Sequence, residues 1–389
     1  LHLVRSSSVA LVVSLSLITA TASADETIAT LARPASVSVH GDRVVWSSFD
    51  PARGTYVLMT RFGGVTSPLP VKPRSVPFDV DLGPGRSGGT VAVYSRCRRD
   101  PPRRNPAIGN VFTQLPDWRR GRGCNLHRFD FATGRQTRIR RASAPRASEF
   151  LPSIWKDRIA FARVYERKRG GAGKRPYLYA RSLARSRRSL RLPAGTRSTS
   201  RFCSGRPRRC RLLVEPGPTA LDLWGRRLAL GWDSGAADGP TSSVYLATIG
   251  SRRARKLLVS RVSSGEVQAS EVEAPSIVDG HLYWTLALFG HDTDNKLLRY
   301  RISTAERAEA PLPPAAAQAQ DAYLRGVFST ALSGPEVFYL ISGRTLPGEP
   351  CRPRSPCSVE PGCSDGEPCP LRSTREIAFR PTSTLTSER

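Results

Sequence analysis

Methionine is almost absent, with a single copy, Met59, in 389 residues, so a soft, Met-lined site has nothing to be built from. Histidine is scarce, with 5 copies. Lysine is confined to Lys72, Lys156, Lys168, Lys174, Lys256 and Lys296. No HExxH, GxSxG, Walker or dinucleotide fingerprint occurs, which leaves the common metalloprotease, nucleophile-elbow and phosphate-cradle chemistries without a local signature. Past the N-terminus no apolar run approaches the roughly 18 residues that a membrane span requires.

What is present begins with "LHLVRSSSVALVVSLSLITATASADETIA". His2 and Arg5 form a short basic region, Val9 to Ile18 an apolar one, and Ala22-Ser23-Ala24 a small-residue cleavage site before Asp25. That order is the signature of a secretory signal peptide, assigned to residues 1–24. An uncleaved anchor is the competing reading of the uncharged span from Ser6 to Ala24. No Cys stands at the cleavage point, which argues against a lipoprotein. The mature chain, 25–389, is expected to be a single exported domain of the bacterial envelope or its exterior. Outside the cytoplasm, an even set of 8 cysteines reads as disulfides rather than thiolates.

The formal charge is +28, from 60 Lys and Arg against 32 Asp and Glu. Nearly all of the positive charge is arginine, as a high-GC genome favours. The charge is therefore read in two ways, as composition or as a field that attracts polyanions. Nucleic acid is not the expected partner of an exported chain.

The strongest signal is internal repetition. "SVSVHGDRVVWSSFD" (36–50), "FLPSIWKDRIAFARV" (150–164), "ALDLWGRRLALGWDS" (220–234) and "APSIVDGHLYWTLAL" (274–288) share one layout. Each is an alternating segment, a tight polar turn and a second apolar segment, the mark of a hairpin. Looser copies lie at 78–97 and 326–342. A third strand follows each: 55–61, 125–131, 176–182, 242–248, 296–302 and 375–381. Weaker fourth segments such as "TSPLPV" and "RQTRIR" follow in several units. Repeated four-stranded meanders imply an all-β fold, a six-bladed β-propeller of four-stranded antiparallel blades. Two β-sandwich domains would also give short, regularly spaced strands. Trp46 and Trp284 hold equivalent second-strand positions, and Trp155 and Trp224 end first strands; all four read as filler between blades. The strand closing the ring is left open between "ETIATLA" and the C-terminal "TSTLTSER".

"LPSIWKDRIAFA" and "LHRFDFATGRQTRI" resemble the strand–turn–strand phrases of TolB-type six-bladed propellers. The resemblance spans nearly the whole mature chain and implies the same fold. The Ser-Pro-Asp-Gly turn characteristic of that family is missing from all the copies.

Units are longer than the roughly 40–45 residues of ordinary blades, and the excess falls between second and third strands, at 96–124, 163–175, 233–241, 289–295 and 343–374. In a meander those connections share one face, and insertions gathered on one face of a repeat fold mark a binding face. Its basic residues are Arg98, Arg99, Arg103, Arg104, Arg119 and Arg120 in the second unit. Arg167, Lys168 and Arg169 follow in the third, and Arg208 and Arg209 in the crossing after it. Blades 4 and 5 contribute the acidic "DSGAADG" and "HDTDN".

Cys97 ends a second strand and Cys124 precedes its partner third strand, a separation that antiparallel neighbours bring within disulfide reach. Cys203 and Cys210 close a small hairpin. Cys351, Cys357, Cys363 and Cys369 are separated by five residues each, whereas zinc ligands pair across about two to four. They are read as two local disulfides, 351–357 and 363–369, among three possible pairings. Asp292, Asp294 and Asn295 carry oxygen ligands at the alternating spacing of a calcium loop, although a solvated turn with Asx hydrogen bonds explains the same residues. No cofactor is expected other than that calcium.

These features point to a monomeric, non-catalytic binding module. Its insertion-rich face would hold an anionic envelope polymer or an acidic protein. The alternative is an extracytoplasmic hydrolase or lyase working in the central pocket, since a Ser–His–Asp set can converge from anywhere in a chain.

Overall fold

The computed structural model describes residues 26–31, 35–102, 116, 118–165, 176–183, 190–192, 217–236, 239–249, 254–261, 269–289, 295–310, 327–333, 336–346 and 372–381. The chain enters through β1 (Glu26–Leu31) and then winds through successive meanders. Blade 1 is β2 (Val37–His40), β3 (Arg43–Asp50), β4 (Thr55–Phe62) and β5 (Val65–Pro68). Blade 2 is β6 (Asp81–Pro84), β7 (Thr90–Arg96), β8 (Asn125–Asp130) and β9 (Arg135–Arg138). Blade 3 is β10 (Ala147–Trp155), β11 (Arg158–Tyr165), β12 (Pro176–Ser182) and β13 (Leu190–Leu192). Blade 4 is β14 (Gly217–Trp224), β15 (Arg227–Ala236), β16 (Gly239–Thr248) and β17 (Ala254–Arg261). Blade 5 is β18 (Ala269–Val278), β19 (His281–Phe289), β20 (Asn295–Arg301) and β21 (Glu306–Ala310). The last sheet is β22 (Val327–Ser333), β23 (Glu336–Leu346) and β24 (Arg372–Pro381), completed by β1.

These make six four-stranded antiparallel sheets. The innermost strands run in a ring: β2 packs on β6, β6 on β10, β10 on β14, β14 on β18, β18 on β22, and β22 returns to β2. The fold is an all-β propeller of four-stranded antiparallel blades. The ring is closed by β1, which pairs with β24 from Glu26↔Phe379 to Leu31↔Arg375. An N-terminal strand thus seals the C-terminal blade.

The apolar core is split into layers between neighbouring blades, because both faces of each sheet are covered and each must bury its own alternate residues. Val45, Leu58, Phe78, Leu82 and Tyr94 fill the layer between blades 1 and 2. Val91, Leu126, Ile154 and Phe161 fill the next. Trp284 lies between blades 4 and 5, and Trp46 between blade 1 and β1; with 0% and 2% exposure they are the filler the repeat suggested.

The tight turns show why the hairpins recur. The first turn residue has positive φ at Gly41 (60°), Lys156 (56°) and Gly225 (62°), and Asp279 and Gly280 are both positive at 40° and 81°. Left-handed backbone suits Gly and strains Lys. Lys156 is held there by its own N–H, which donates to Pro84 O in blade 2 at 2.7 Å.

Two expected insertions prove to be strand. β15 and β16 stay paired out to Ala236↔Gly239, so most of 233–241 is an extended hairpin rather than a loop. β23 and β24 stay paired out to Leu346↔Arg372, which trims 343–374 to 347–371. The ladder continues because an alternating segment pairs wherever its partner strand offers amides, whatever its polarity.

Candidate functional site

The meander places the second–third connections and the blade crossings on one face, and there the described residues of the blade-2 insertion, 97–102, 116 and 118–124, form a strap held by the contacts that follow. Cys97 and Cys124 are joined by a disulfide that closes it. Gly121 lies against both sulfurs: a Cβ there would stand 2.6 Å from Cys124 Sγ and 3.1 Å from Cys97 Sγ. Arg99 N–H donates to Arg122 O at 3.1 Å, and Arg122 N–H returns the bond at 2.9 Å. Trp118, 6% exposed, is buried in the layer of blades 3 and 4. Arg119 reaches further, over Gly217 at the start of β14, where a Cβ would meet Arg119 Cδ at 2.6 Å. The described residues of the insertion thus start at blade 2 and, at Trp118 and Arg119, pack on blades 3 and 4.

Beneath it the acids are engaged by neighbouring donors. Arg74, 6% exposed, donates to Ser95 O at 2.9 Å and to Asp100 Oδ1 at 2.8 Å. It also lies 3.7 Å from Asp79. Asp79 in turn accepts from Ser95 N–H at 2.9 Å and from Leu151 N–H at 2.7 Å, tying blade 2 to blade 3. Glu149, at 0% exposure, accepts from Arg163 Nε at 2.9 Å and from Ala144 N–H at 3.0 Å. Its N–H donates to Cys124 O at 3.0 Å, which fastens the strap's end. Burial pushes the Glu149 carboxyl up to about 7, against the opposing pull of Arg163. Its Oε2 has no hydrogen-bond partner among the described residues.

With those acids occupied below, Arg98, Arg99 and Arg120 stay exposed on the strap. Arg140, Arg141 and Arg146 are exposed on the adjoining crossing between blades 2 and 3. Four predicted residues are thus brought to one place: Arg98, Arg99, Arg119 and Arg120. Arg103, Arg104, Arg167, Lys168, Arg169, Arg208 and Arg209 lie outside the described residues, as do Cys203, Cys210, Cys351, Cys357, Cys363, Cys369, Asp292 and Asp294. Asn295 opens β20 with its backbone opposite Ala287.

A second constellation was missed from the sequence. Along the ring of innermost strands, each of blades 1 to 4 offers one small polar side chain to the next blade's backbone. Ser38 Oγ accepts Leu82 N–H at 2.8 Å, and Asp81 Oδ2 accepts Ile154 N–H at 2.9 Å. Ser153 Oγ accepts Leu223 N–H at 2.8 Å, and Asp222 Oδ2 accepts Ile277 N–H at 2.6 Å. In every case the donor follows the equivalent residue of the next blade. Ser38 also donates to Asp81 Oδ1 at 3.1 Å. Burial raises the Asp81 carboxyl, and burial together with the Asp81 charge raises Asp222 well above the carboxylate range. The signal was available: Ser38, Ser153, Asp222 and Ser276 each stand two residues before the end of the first strand. Asp81 stands one further back because the blade-2 turn is expanded.

No known family matches the sequence, and no curated protein is similar to it. Solved structures with a similar arrangement include the β-propeller domain of the Trilobed protease from Pyrococcus furiosus. It is 9% identical, with a TM-score of 0.42, covering 79% of this chain and 77% of that one. A puromycin-hydrolyzing peptidase from Mycobacterium tuberculosis is 14% identical with a TM-score of 0.42, covering 83% of this chain and 53% of that one. An acylaminoacyl peptidase from Pyrococcus horikoshii is 14% identical with a TM-score of 0.40, covering 80% and 42%. The chain thus spans about half the length of these two peptidases.

Proposed function

We propose that the protein is an exported, non-catalytic binding module that holds an anionic polymer of the cell envelope on its insertion-rich face. The supporting observation is the strap, which presents Arg98, Arg99 and Arg120 from a segment fixed at both ends by the Cys97–Cys124 disulfide and by Trp118. Arginines on a pre-ordered backbone lose less conformational freedom on binding a polyanion than the same residues on a free loop. The guanidinium fork also suits phosphate and carboxylate oxygens.

The test is titration with a linear polyphosphate and a poly-glutamate between about 50 and 500 mM salt. Release of counterions from the polymer should make affinity fall steeply with salt. Replacing Arg98, Arg99 and Arg120 together by Ala should lower low-salt affinity by about tenfold or more and flatten the salt slope. Binding that ignores salt, or that survives the triple replacement unchanged, would overturn the proposal. Tight binding of poly-glutamate with indifference to polyphosphate would move the occupant from a phosphate polymer to a carboxylate-rich one.

A further inference from the structure

At the opposite end of the channel the first turns converge. His40, the last residue of β2 in blade 1, meets Trp155, the last of β10 in blade 3, edge-on with ring centroids 6.2 Å apart. Blades 1 and 3 are not neighbours. Trp155 in turn lies against Trp224, the last residue of β14, at a centroid distance of 4.0 Å and an angle of 45°. His40, Trp155 and Trp224 are all half-buried, unlike Trp46 and Trp284. Trp155 and Trp224 pack against the core layers of blades 3–4 and 4–5, as filler does, and leave part of each ring exposed.

Two residues deeper on the same strands, roughly 7 Å along the channel, stand Ser153 and Asp222, with Asp81 beside them. Asp81 and Asp222 are half-buried like these rings. They belong to non-neighbouring blades, yet the Asp81 charge acts on Asp222. Aromatic faces carry negative potential, and carboxyls below them gain charge of the same sign when a cation ionises them. The two layers are therefore complementary to one kind of occupant.

We propose that this end of the channel binds a cation of the alkylammonium or guanidinium class, seated between the Trp155–Trp224 pair and the carboxyls of Asp81 and Asp222. The charge complementarity is local: the chain carries +28 overall, whereas the ends of these inner strands place aromatic rings two residues from carboxyls. Burial raises both carboxyls and lowers His40, so a cation would meet a neutral imidazole and would draw the carboxyls back to their ionised form. Lys156 and Arg226 stand on the turns at the rim, exposed to water, where their repulsion is screened. The site is on the face opposite the arginine strap and does not depend on the polyanion reading.

The experiment is a titration of the whole purified chain with choline and with agmatine, read by calorimetry and tryptophan fluorescence. 3,3-Dimethylbutanol, the neutral isostere of choline, is the control. Saturable binding of the cations is expected, with the isostere at least about tenfold weaker. Asp222→Asn and Trp224→Leu should each weaken choline by about tenfold, with melting curves confirming that both variants are folded. Equal binding of choline and its isostere, no saturable signal from either cation, or unaltered binding by both folded variants would each overturn the proposal. Should a variant fail to fold, the comparison of choline with its isostere on the unaltered chain decides alone.

Discussion

Asp81 Oδ2 accepts the amide proton of Ile154 at 2.9 Å, and through that bond blade 2 holds blade 3 at the channel wall. The same carboxyl accepts from the Ser38 hydroxyl of blade 1 at 3.1 Å, so one side chain ties three blades. Asp81→Ala removes acceptors from a buried amide and a buried hydroxyl, and an orphaned buried donor costs about 1–3 kcal/mol. Urea denaturation should show a loss at the upper end of that range. Asp81→Asn keeps one carbonyl oxygen for Ile154 and an amide for Ser38, and should cost about half as much. Equal losses would show that the bonds do not carry the effect.

The Glu149 carboxyl predicts a pH signature. Its value rises from 4.5 in the unfolded chain to about 7 in the folded one, because burial disfavours the charge. A carboxyl raised on folding takes up a proton, so its contribution is fully present below pH 4.5 and is lost as pH climbs through 7. The amount is about 3 kcal/mol. His127 works the other way, since burial and the neighbouring Arg96 and Arg138 lower it from 6.5 to about 4, and its contribution is lost as pH falls through that window. The difference between wild type and Glu149→Gln isolates the carboxyl: that difference should change by about 3 kcal/mol between pH 4.5 and 7.5. A pH-independent difference would show that Glu149 stays ionised.

The disulfide closes a loop with a sequence separation of 27. By the chain-entropy relation, Cys97→Ser with Cys124→Ser should cost about 3.5 kcal/mol. Cys124 O would still accept Glu149 N–H and Trp118 would stay buried among blades 3 and 4, so the strap should loosen from the Cys97 end and become protease-sensitive near residues 98–102 before the propeller itself unfolds. Cleavage elsewhere first would argue that the strap is held by its packing alone.

Leu31, 3% exposed, joins Val37, Val39, Val44 and Trp46 while its strand pairs with β24. Leu31→Ala should cost about 2–4 kcal/mol as a cavity at the ring closure. The loss should show as earlier exchange of the β24 amides than of those in blade 3. Uniform exchange across all blades would mean that the ring opens only as a whole.

The strap and the hairpins were legible in the sequence for a simple reason. A tight turn such as Gly41-Asp42 between two apolar segments, or a cysteine at each end of adjacent strands such as Cys97 and Cys124, states its pairing within a short stretch of chain. The blade-4 segment "DSGAADG" was misread as an acidic loop because its composition resembles one, whereas its register with β16 keeps it in the sheet. Trp155 and Trp224 looked equivalent to Trp46 and Trp284 as filler. They do pack against the core layers of blades 3–4 and 4–5, and only the folded ring shows that they also touch each other, at a centroid distance of 4.0 Å.

By itself, the sequence determined the repeated hairpins, the third strands, the face that carries the insertions and the one disulfide whose cysteines bracket neighbouring strands. These are set by period-2 alternation and turn chemistry, which act over a few residues. Only the tertiary structure decided that "ETIATL" rather than "TSTLTSER" supplies the strand beside β24, since both are short β-capable segments and the choice depends on which one reaches the open edge. It also decided what Ser38, Asp81, Ser153 and Asp222 are for. Each is an ordinary small polar residue until the ring closes and puts the next blade's amide within 2.6–2.9 Å of its side chain.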